Sequence, residues 1–508
     1  MFKINDLLAK ALSKVVKGIL GTIIHYFIIG FIYDQILVLI LLLLGIDKNS
    51  TQVNSKALSI SVVLGLGIMT LKWIGTIRAY KVYKNASIIK SNKFGKARFS
   101  ESKEITDAGL QGSGIVFGKI DKKLITKPST VEGHTLVVGG TGTGKSRGVV
   151  IPTLFKWEGS AIVMDIKGEL SKVTSSKRKT TGNVYIFNPE GECDCYDPIK
   201  LCNTVDQAQD LARVLIPTPK SGESFWAQSA QAILSAFVYE GALNGDKLTD
   251  IAEKLCTTPI IELVKHCRNS DIREVRLLAS ISYDLPEKTL GGVIGELKTR
   301  LITIATDPNI RRATQKSDWT PQTLEEGATV YLKVSEHLLE QYKDLWTVII
   351  NQILKYLSKR EEGKNPPILI ALDEMPRLSK LNGLTSALAT LRSRNVHILS
   401  IIQSMAQLDE IYGKNERKVI SDNCRFKLVL SATDPETQKY FSDLVGQKTI
   451  FSETLSPGFI TPNRSYSEQG VPLIRTEEWA NLDKPILLAP KLNPTRLDLA
   501  FWDKENLI

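Results

Sequence analysis

Cysteine is scarce: six residues in 508, none before Cys193 and none after Cys424. That usage excludes a disulfide-stapled scaffold and suits a reducing compartment. Cys193-x-Cys195 with Cys202 is the nearest thing to a metal-ligand cluster, but no histidine or second C-x-x-C stands beside it, which argues against zinc. Internal repeats and low-complexity tracts are absent. Charge is missing from two long stretches. Residues 19–46 are almost continuously apolar, interrupted mainly by His25, Asp34 and Gln35, and residues 57–77 carry only Lys72. Each is long enough to cross a bilayer core as a helix. The first lacks a small-residue cleavage site and is too long for a cleaved signal peptide. Asp34 would be costly against lipid, so it is expected to face the second helix or another subunit.

Cations flank these stretches unevenly. Lys3, Lys10, Lys14 and Lys17 precede the first, and Arg78, Lys81, Lys84, Lys90, Lys93, Lys96 and Arg98 follow the second. The short connection has only Lys48 and Lys56 against Asp47. The positive-inside rule then puts both termini, and more than 400 residues, on the cytoplasmic side of a cell membrane. Residues 78–127 hold twelve Lys/Arg against four Asp/Glu, much of the net charge of +11. Attraction to anionic lipid and the topology signal account for such a segment; so does attraction to nucleic acid, and both can hold.

The length suits about three domains, and 43% hydrophobic content is that of a globular chain. Strand-like apolar runs at 135–138 (T-L-V-V), 160–164 (S-A-I-V-M) and 184–187 (V-Y-I-F) alternate with helical stretches, which predicts a parallel sheet covered by helices. A strand-rich lead-in at 112–127 precedes them. From 203 to 316 apolar residues recur at helical spacing, predicting an all-helical insertion. The sheet resumes at 328–334, a helix follows at 345–359, and 452–508 reads as loops plus one edge strand at 485–488.

Between the first run and its helix, expected at 147–155, lies Gly139-Gly140-Thr141-Gly142-Thr143-Gly144-Lys145-Ser146, the full G-x-x-x-x-G-K-[ST] pattern. Glycines let backbone N–H groups turn inward around phosphates, Lys145 reaches the outer phosphates, and the Ser146 hydroxyl can ligate Mg²⁺. The helix N-terminus adds its own attraction for anions.

Downstream, the apolar run 368–372 ends in Asp373-Glu374. The first acid suits the Mg²⁺ shell; the second suits orienting the water that attacks the γ-phosphate of ATP. Asp165 also ends an apolar strand but lacks a second acid, which places it beside the site rather than on the metal. Gln403, at the end of the run 396–402, can sense the γ-phosphate without repelling it. Arg392 and Arg394 precede that run; Arg394 is the candidate arginine finger on a neighbouring subunit.

With these stretches in order, the chain resembles the VirD4/TraG family of type IV secretion coupling proteins, the conjugation ATPases. The resemblance rests also on Gly95-Lys96-Ala97-Arg98-Phe99, Ile151-Pro152-Thr153-Leu154, Asp165-Ile166-Lys167-Gly168-Glu169, Phe225-Trp226, Asn423-Cys424 and Asp434-Pro435-Glu436-Thr437. It implies an α/β fold: a RecA-like P-loop NTPase domain (86–202 and 317–508) with an inserted all-α domain (203–316). A transmembrane region at 1–85 precedes it, a two-helix hairpin spanning about 19–45 and 57–77. It also implies a homo-hexameric ring, ATP and Mg²⁺ as cofactors, and single-stranded DNA with its bound relaxase as substrate, delivered to a type IV secretion channel. Translocation of protein effectors alone, and a nucleotide-regulated membrane receptor or scaffold, stand as alternatives; double-stranded DNA pumping fits the family stretches less well. The external loop of about ten residues is shorter than expected of Gram-negative members and fits a single-membrane host, and no long acidic tail follows the core.

Overall fold

Buried strands come from the short apolar runs, several of them closed by a glycine or an acid, as at Gly139, Asp165 and Asp373. The computed structural model describes residues 92–505 apart from 220–223, 364, 379, 382 and 457–462, with a few helical positions (Leu43, Gly67, Ile74, Gly75 and Ile77) before them. The expected spans at 19–45 and 57–77 lie outside the described residues but for those positions. Among the described residues no helix is long and apolar enough to cross a membrane. The chain divides into two compact units, Met1–Ser91 and Asn92–Ile508, and the second holds the whole sheet.

An antiparallel hairpin, β1 (Gly114–Ile120) with β2 (Lys123–Pro128), leads into it. Seven strands then run parallel: β3 (Thr135–Val138), β4 (Ser160–Asp165), β5 (Val184–Phe187), β6 (Thr329–Lys333), β7 (Ile368–Leu372), β8 (Val396–Ile402) and β9 (Phe426–Val429). A separate two-stranded ribbon follows, β10 (Gln447–Ser456) with β11 (Asn463–Pro472). Last, β12 (Ile486–Leu488) and β13 (Thr495–Arg496) extend the sheet antiparallel past β9. The spatial order is β13-β12-β9-β3-β8-β7-β4-β6-β5.

Both faces of the central parallel strands are buried, so their runs are mostly apolar rather than alternating. Leu136, Val138, Ile162, Met164 and Ile370 point to one face and pack with Trp346 and Ile350 of the helix Leu339–Leu357. Val137, Val163, Ala371 and Ile401 point to the other, onto Val149, Val150 and Leu154 of the helical stretch after the glycine loop. Full burial of each such side chain is worth about 1.5–3 kcal/mol, which is what fixes the layers.

Between β5 and β6 the described residues form helices and no strand, among them Val205–Leu215, Phe225–Asn244, Leu248–Thr257, Ile260–Arg268 and Glu287–Thr306. The first begins at Thr204, whose hydroxyl accepts from the Gln207 N–H at 3.3 Å while the Gln207 side chain accepts from the Thr204 N–H at 3.0 Å. That reciprocal cap satisfies two donors a helix start leaves free. Leu211, Phe237 and Leu297 join the same apolar core as Ile162, so these helices pack onto the sheet side.

One expectation needs correcting. The stretch 452–508 is not loops plus a single strand: β10 and β11 form a ten-residue-a-side ribbon, and β13 lies outside the predicted edge strand. The ribbon escapes a hydrophobic-pattern reading because it pairs with itself rather than lining the core, and its sequence carries few apolar residues.

Candidate nucleotide site

The sheet topology brings the glycine loop and the acid pair to one edge. β3 and β7 both flank β8, so their carboxyl ends lie roughly 10 Å apart with the end of β8 between them. Gly139 continues the pairing, donating its N–H to the Ile402 carbonyl at 3.1 Å, which sets Gln403 next to the loop. Gln403 is partly buried, and its N–H donates to Oε1 of Gln407 at 3.0 Å. A cavity of about 800 Å³ opens here, lined by Gly140, Thr141, Thr143, Gln403, Asp434 and Leu499 among others.

The loop curls as its glycines allow. Gly142 and Gly144 hold φ of 77° and 87°, the left-handed region where a side chain is strained. Thr143 braces the turn, its hydroxyl donating to the Gly140 carbonyl at 2.8 Å. The chain then enters helix: a wide π-type turn, Ser146–Val150, runs into Ile151–Lys156. The buried Lys145 ammonium donates to the carbonyls of Gly139 and Gly140 at 2.8 and 2.7 Å, and burial lowers its pKa. Reaching a phosphate requires it to exchange those two carbonyls for phosphate oxygens.

Ser146 and Asp373 meet: the Ser146 hydroxyl donates to Oδ2 of Asp373 at 3.0 Å. Crowding by protein pushes the Asp373 pKa up to about 6, with the Glu374 and Asp165 charges adding to the rise; the Ser146 bond and Lys145 oppose it. A hydroxyl and a carboxylate in contact, the latter short of positive charge, are the oxygen donors Mg²⁺ takes. Glu374 sits in the left-handed region (φ 60°, ψ 48°), a strain of about 1–3 kcal/mol for a non-glycine residue. Its Oε2 lies 3.2 Å from Nε of Arg377, whose guanidinium also donates to Glu336 at 3.1 Å.

Asp165 has a structural task. Its buried carboxylate accepts from the N–H groups of Leu170 and Ser171, at 3.1 and 2.8 Å, capping the helix Glu169–Arg178. Arg394 is not brought to the loop of its own chain: it lies at the opposite end of β8 from Gln403. Its guanidinium donates to the carbonyls of Arg360 and Thr390 at 2.8 and 2.9 Å. Arg392 is more exposed and forms a 3.5 Å ion pair with Glu132.

Four further neighbours of the site lie outside the residues singled out from the sequence. Ser431, after β9, accepts the Gly140 N–H at 3.1 Å. Arg377 grips Glu374, and a basic residue three positions after the acid pair was the available hint. Leu499 and Phe501 press on Gly144 from the end of the chain.

Residues 77–506 match the profile of the type IV secretory system conjugative DNA transfer family. Protein VirD4 of Rhizobium radiobacter is 27% identical over 458 residues, covering 84% of this chain and 64% of its own length. Conjugal transfer protein TraG of Escherichia coli is 25% identical over 492 residues, covering 83% and 76%. The chain thus spans less than two thirds of the length of that VirD4. Among solved structures, bacterial conjugative coupling protein TrwBdeltaN70 with sulphate matches with a TM-score of 0.63 at 19% identity, over 80% of this chain and 95% of that one. Plasmid coupling protein TrwB in complex with ADP and Mg²⁺ matches with a TM-score of 0.62 at 19% identity, over 80% and 94%. At such identity the structural likeness establishes a shared mixed α/β fold built on a large central sheet.

Proposed function

The chain belongs to the type IV secretory system conjugative DNA transfer family, and we propose that it works there as a membrane-anchored ATPase coupling protein. In this reading it recruits a relaxase–DNA substrate and drives it into the secretion channel. The observation that carries the reading is the bond between Ser146 and Asp373, with Glu374 adjoining, at the sheet edge where the glycine loop opens.

The residues divide the work by chemistry. Backbone N–H groups of Gly142 to Ser146 hold the phosphates, and Lys145 moves from the Gly139 and Gly140 carbonyls onto the outer ones. Ser146 and Asp373 hold the metal, and Mg²⁺ there supplies charge stabilisation to the transferring phosphoryl group. Glu374 orients the attacking water, held ready by Arg377, and Gln403 reads the γ-phosphate from the end of β8. The finger in trans falls to Arg392 rather than Arg394, because Arg394 would have to break two bonds to its own backbone to leave. We read 86–202 and 317–508 as a RecA-like domain, 203–316 as its all-α insertion, and 1–85 as a hairpin holding a hexameric ring at the cytoplasmic face of the membrane.

Glu374→Gln tests the hydrolytic role, since the amide keeps the shape and loses the charge. It is expected to lower DNA-stimulated ATP hydrolysis by at least about a hundredfold while nucleotide binding persists, and to abolish transfer in a mating assay. Equal transfer by the variant and the wild type would make this a scaffold rather than a motor.

A further inference from the structure

The end of the chain returns to the phosphate-binding loop across more than 350 residues. Asp498 pairs with Lys119 of β1 through two backbone bonds of 2.7 and 2.9 Å, fixing the segment alongside the hairpin. Beyond it, a Cβ on Gly144 would lie 3.0 Å from the Phe501 ring and 3.3 Å from Leu499; one on Gly148 would lie 3.2 Å from Leu499. The Trp502 N–H donates to the Arg147 carbonyl at 3.3 Å, and its ring packs on Phe155.

Arg147, the residue after Ser146, is restrained twice by this segment. Its Nε donates to Oδ1 of Asp503 at 2.8 Å while a terminal nitrogen bonds Oδ2, the two-point grip that fixes a guanidinium plane. Its Cζ lies over the Phe501 ring, 4.8 Å from the ring centre, and the side chain is 45% exposed. Helix stability does not explain a cation here, because the first turn of a helix disfavours positive charge. An isolated exposed ion pair would also be worth little. A planar cation, held over an aromatic ring and pinned at its edge, is a surface suited to a flat heterocycle.

We propose that Arg147 is the seat of the nucleotide base, which stacks on the outer face of the guanidinium while Phe501 and Asp503 act as positioning residues beneath and beside it. This rests on the ATPase reading above. Phosphates held along Gly142–Ser146, with the outer ones at Asp373 and Glu374, leave the nucleoside end of the ligand beside the first helical turn, where Arg147 projects.

The test separates base from phosphate by comparing ATP with inorganic tripolyphosphate, both with Mg²⁺, by calorimetry on the full chain. Arg147→Lys keeps the charge and loses the plane; Phe501→Leu keeps bulk against Gly144 and loses the ring. Each is expected to weaken ATP about five- to tenfold and tripolyphosphate less than about twofold. Asp503→Asn, with a melting curve like that of the wild type, is expected to act in the same direction more weakly. Equal loss for both ligands would mean that the segment merely shapes the loop and would overturn the proposal, as would no loss for ATP. Wild-type protein binding ATP no better than tripolyphosphate would overturn the platform alone. Wild-type protein binding neither would remove the ATPase reading and the platform with it.

Discussion

At Asp373, crowding and like charge outweigh the Ser146 bond, so its pKa rises to about 6 from an ordinary 3.8. The folded chain therefore holds this proton between roughly pH 4 and 6 where the unfolded chain has lost it. Stability from this group is full below pH 4 and is lost as pH rises through 6. Metal binding runs the other way, because Mg²⁺ needs the carboxylate. Apparent MgADP affinity is expected to fall about tenfold per pH unit below 6. Asp373→Asn, which shares the nucleotide's own titration, supplies the baseline; parallel curves for the two proteins would show that Asp373 does not hold the metal. At this scale the sequence is most readable where chemistry fixes both residue type and spacing, as with Lys145, Ser146, Asp373 and Glu374. Arg147, Arg377 and Ser431 were not readable as a site. Their roles depend on partners such as Asp503 and Gly140, which the fold brings from 356 and 291 residues away in the first and last cases.

Among the elements, the strand ending in Asp165 and the helix Glu169–Arg178 show how a buried acid can serve structure beside the candidate nucleotide site. The carboxylate caps two N–H groups that a helix start would otherwise leave unmet. Asp165→Ala is expected to destabilise the fold by about 2 kcal/mol in denaturant melts. Asp165→Asn, which keeps an acceptor oxygen, should recover most of that and retain Mg²⁺-dependent hydrolysis. Loss of hydrolysis in a stable Asp165→Asn protein would instead move Asp165 onto the metal. Strands β3, β5, β7 and β8 run over the residues expected of them, because strands packed into the sheet, β3, β7 and β8 on both faces, leave short runs rich in apolar residues. The ribbon β10–β11 has no such requirement and left no such pattern. Spatial order was likewise beyond the sequence: nothing local says that β8 separates β3 from β7, although that placement is what lets Ser146 reach Asp373.

For the molecule as a whole, the basic stretch 78–127 fits two roles by its charge, attraction of nucleic acid and attraction to anionic lipid, which an experiment can separate. The structure changes which cations can answer. Arg98 already spends its charge on Glu104, with two bonds of 2.8 and 2.7 Å, and Glu104 is held down to a pKa of about 2. The backbone beside Lys96 is fixed against β10, with the Ala97 N–H donating to the Gln447 carbonyl at 3.0 Å, which holds this lysine at a set place on the core. Lys90 lies outside the described residues. If these lysines contact phosphates, each releases counterions, and replacing Lys90, Lys93 and Lys96 together with Gln should lower the slope of log affinity against log salt by about 2 for single-stranded DNA. Arg98→Gln alone should leave that slope unchanged while releasing Glu104, because a charge neutralised within the fold displaces no ions from DNA. An unchanged slope in the triple variant, with weaker binding to vesicles of anionic lipid, would assign the stretch to a lipid surface and leave any DNA contact to other parts of the chain.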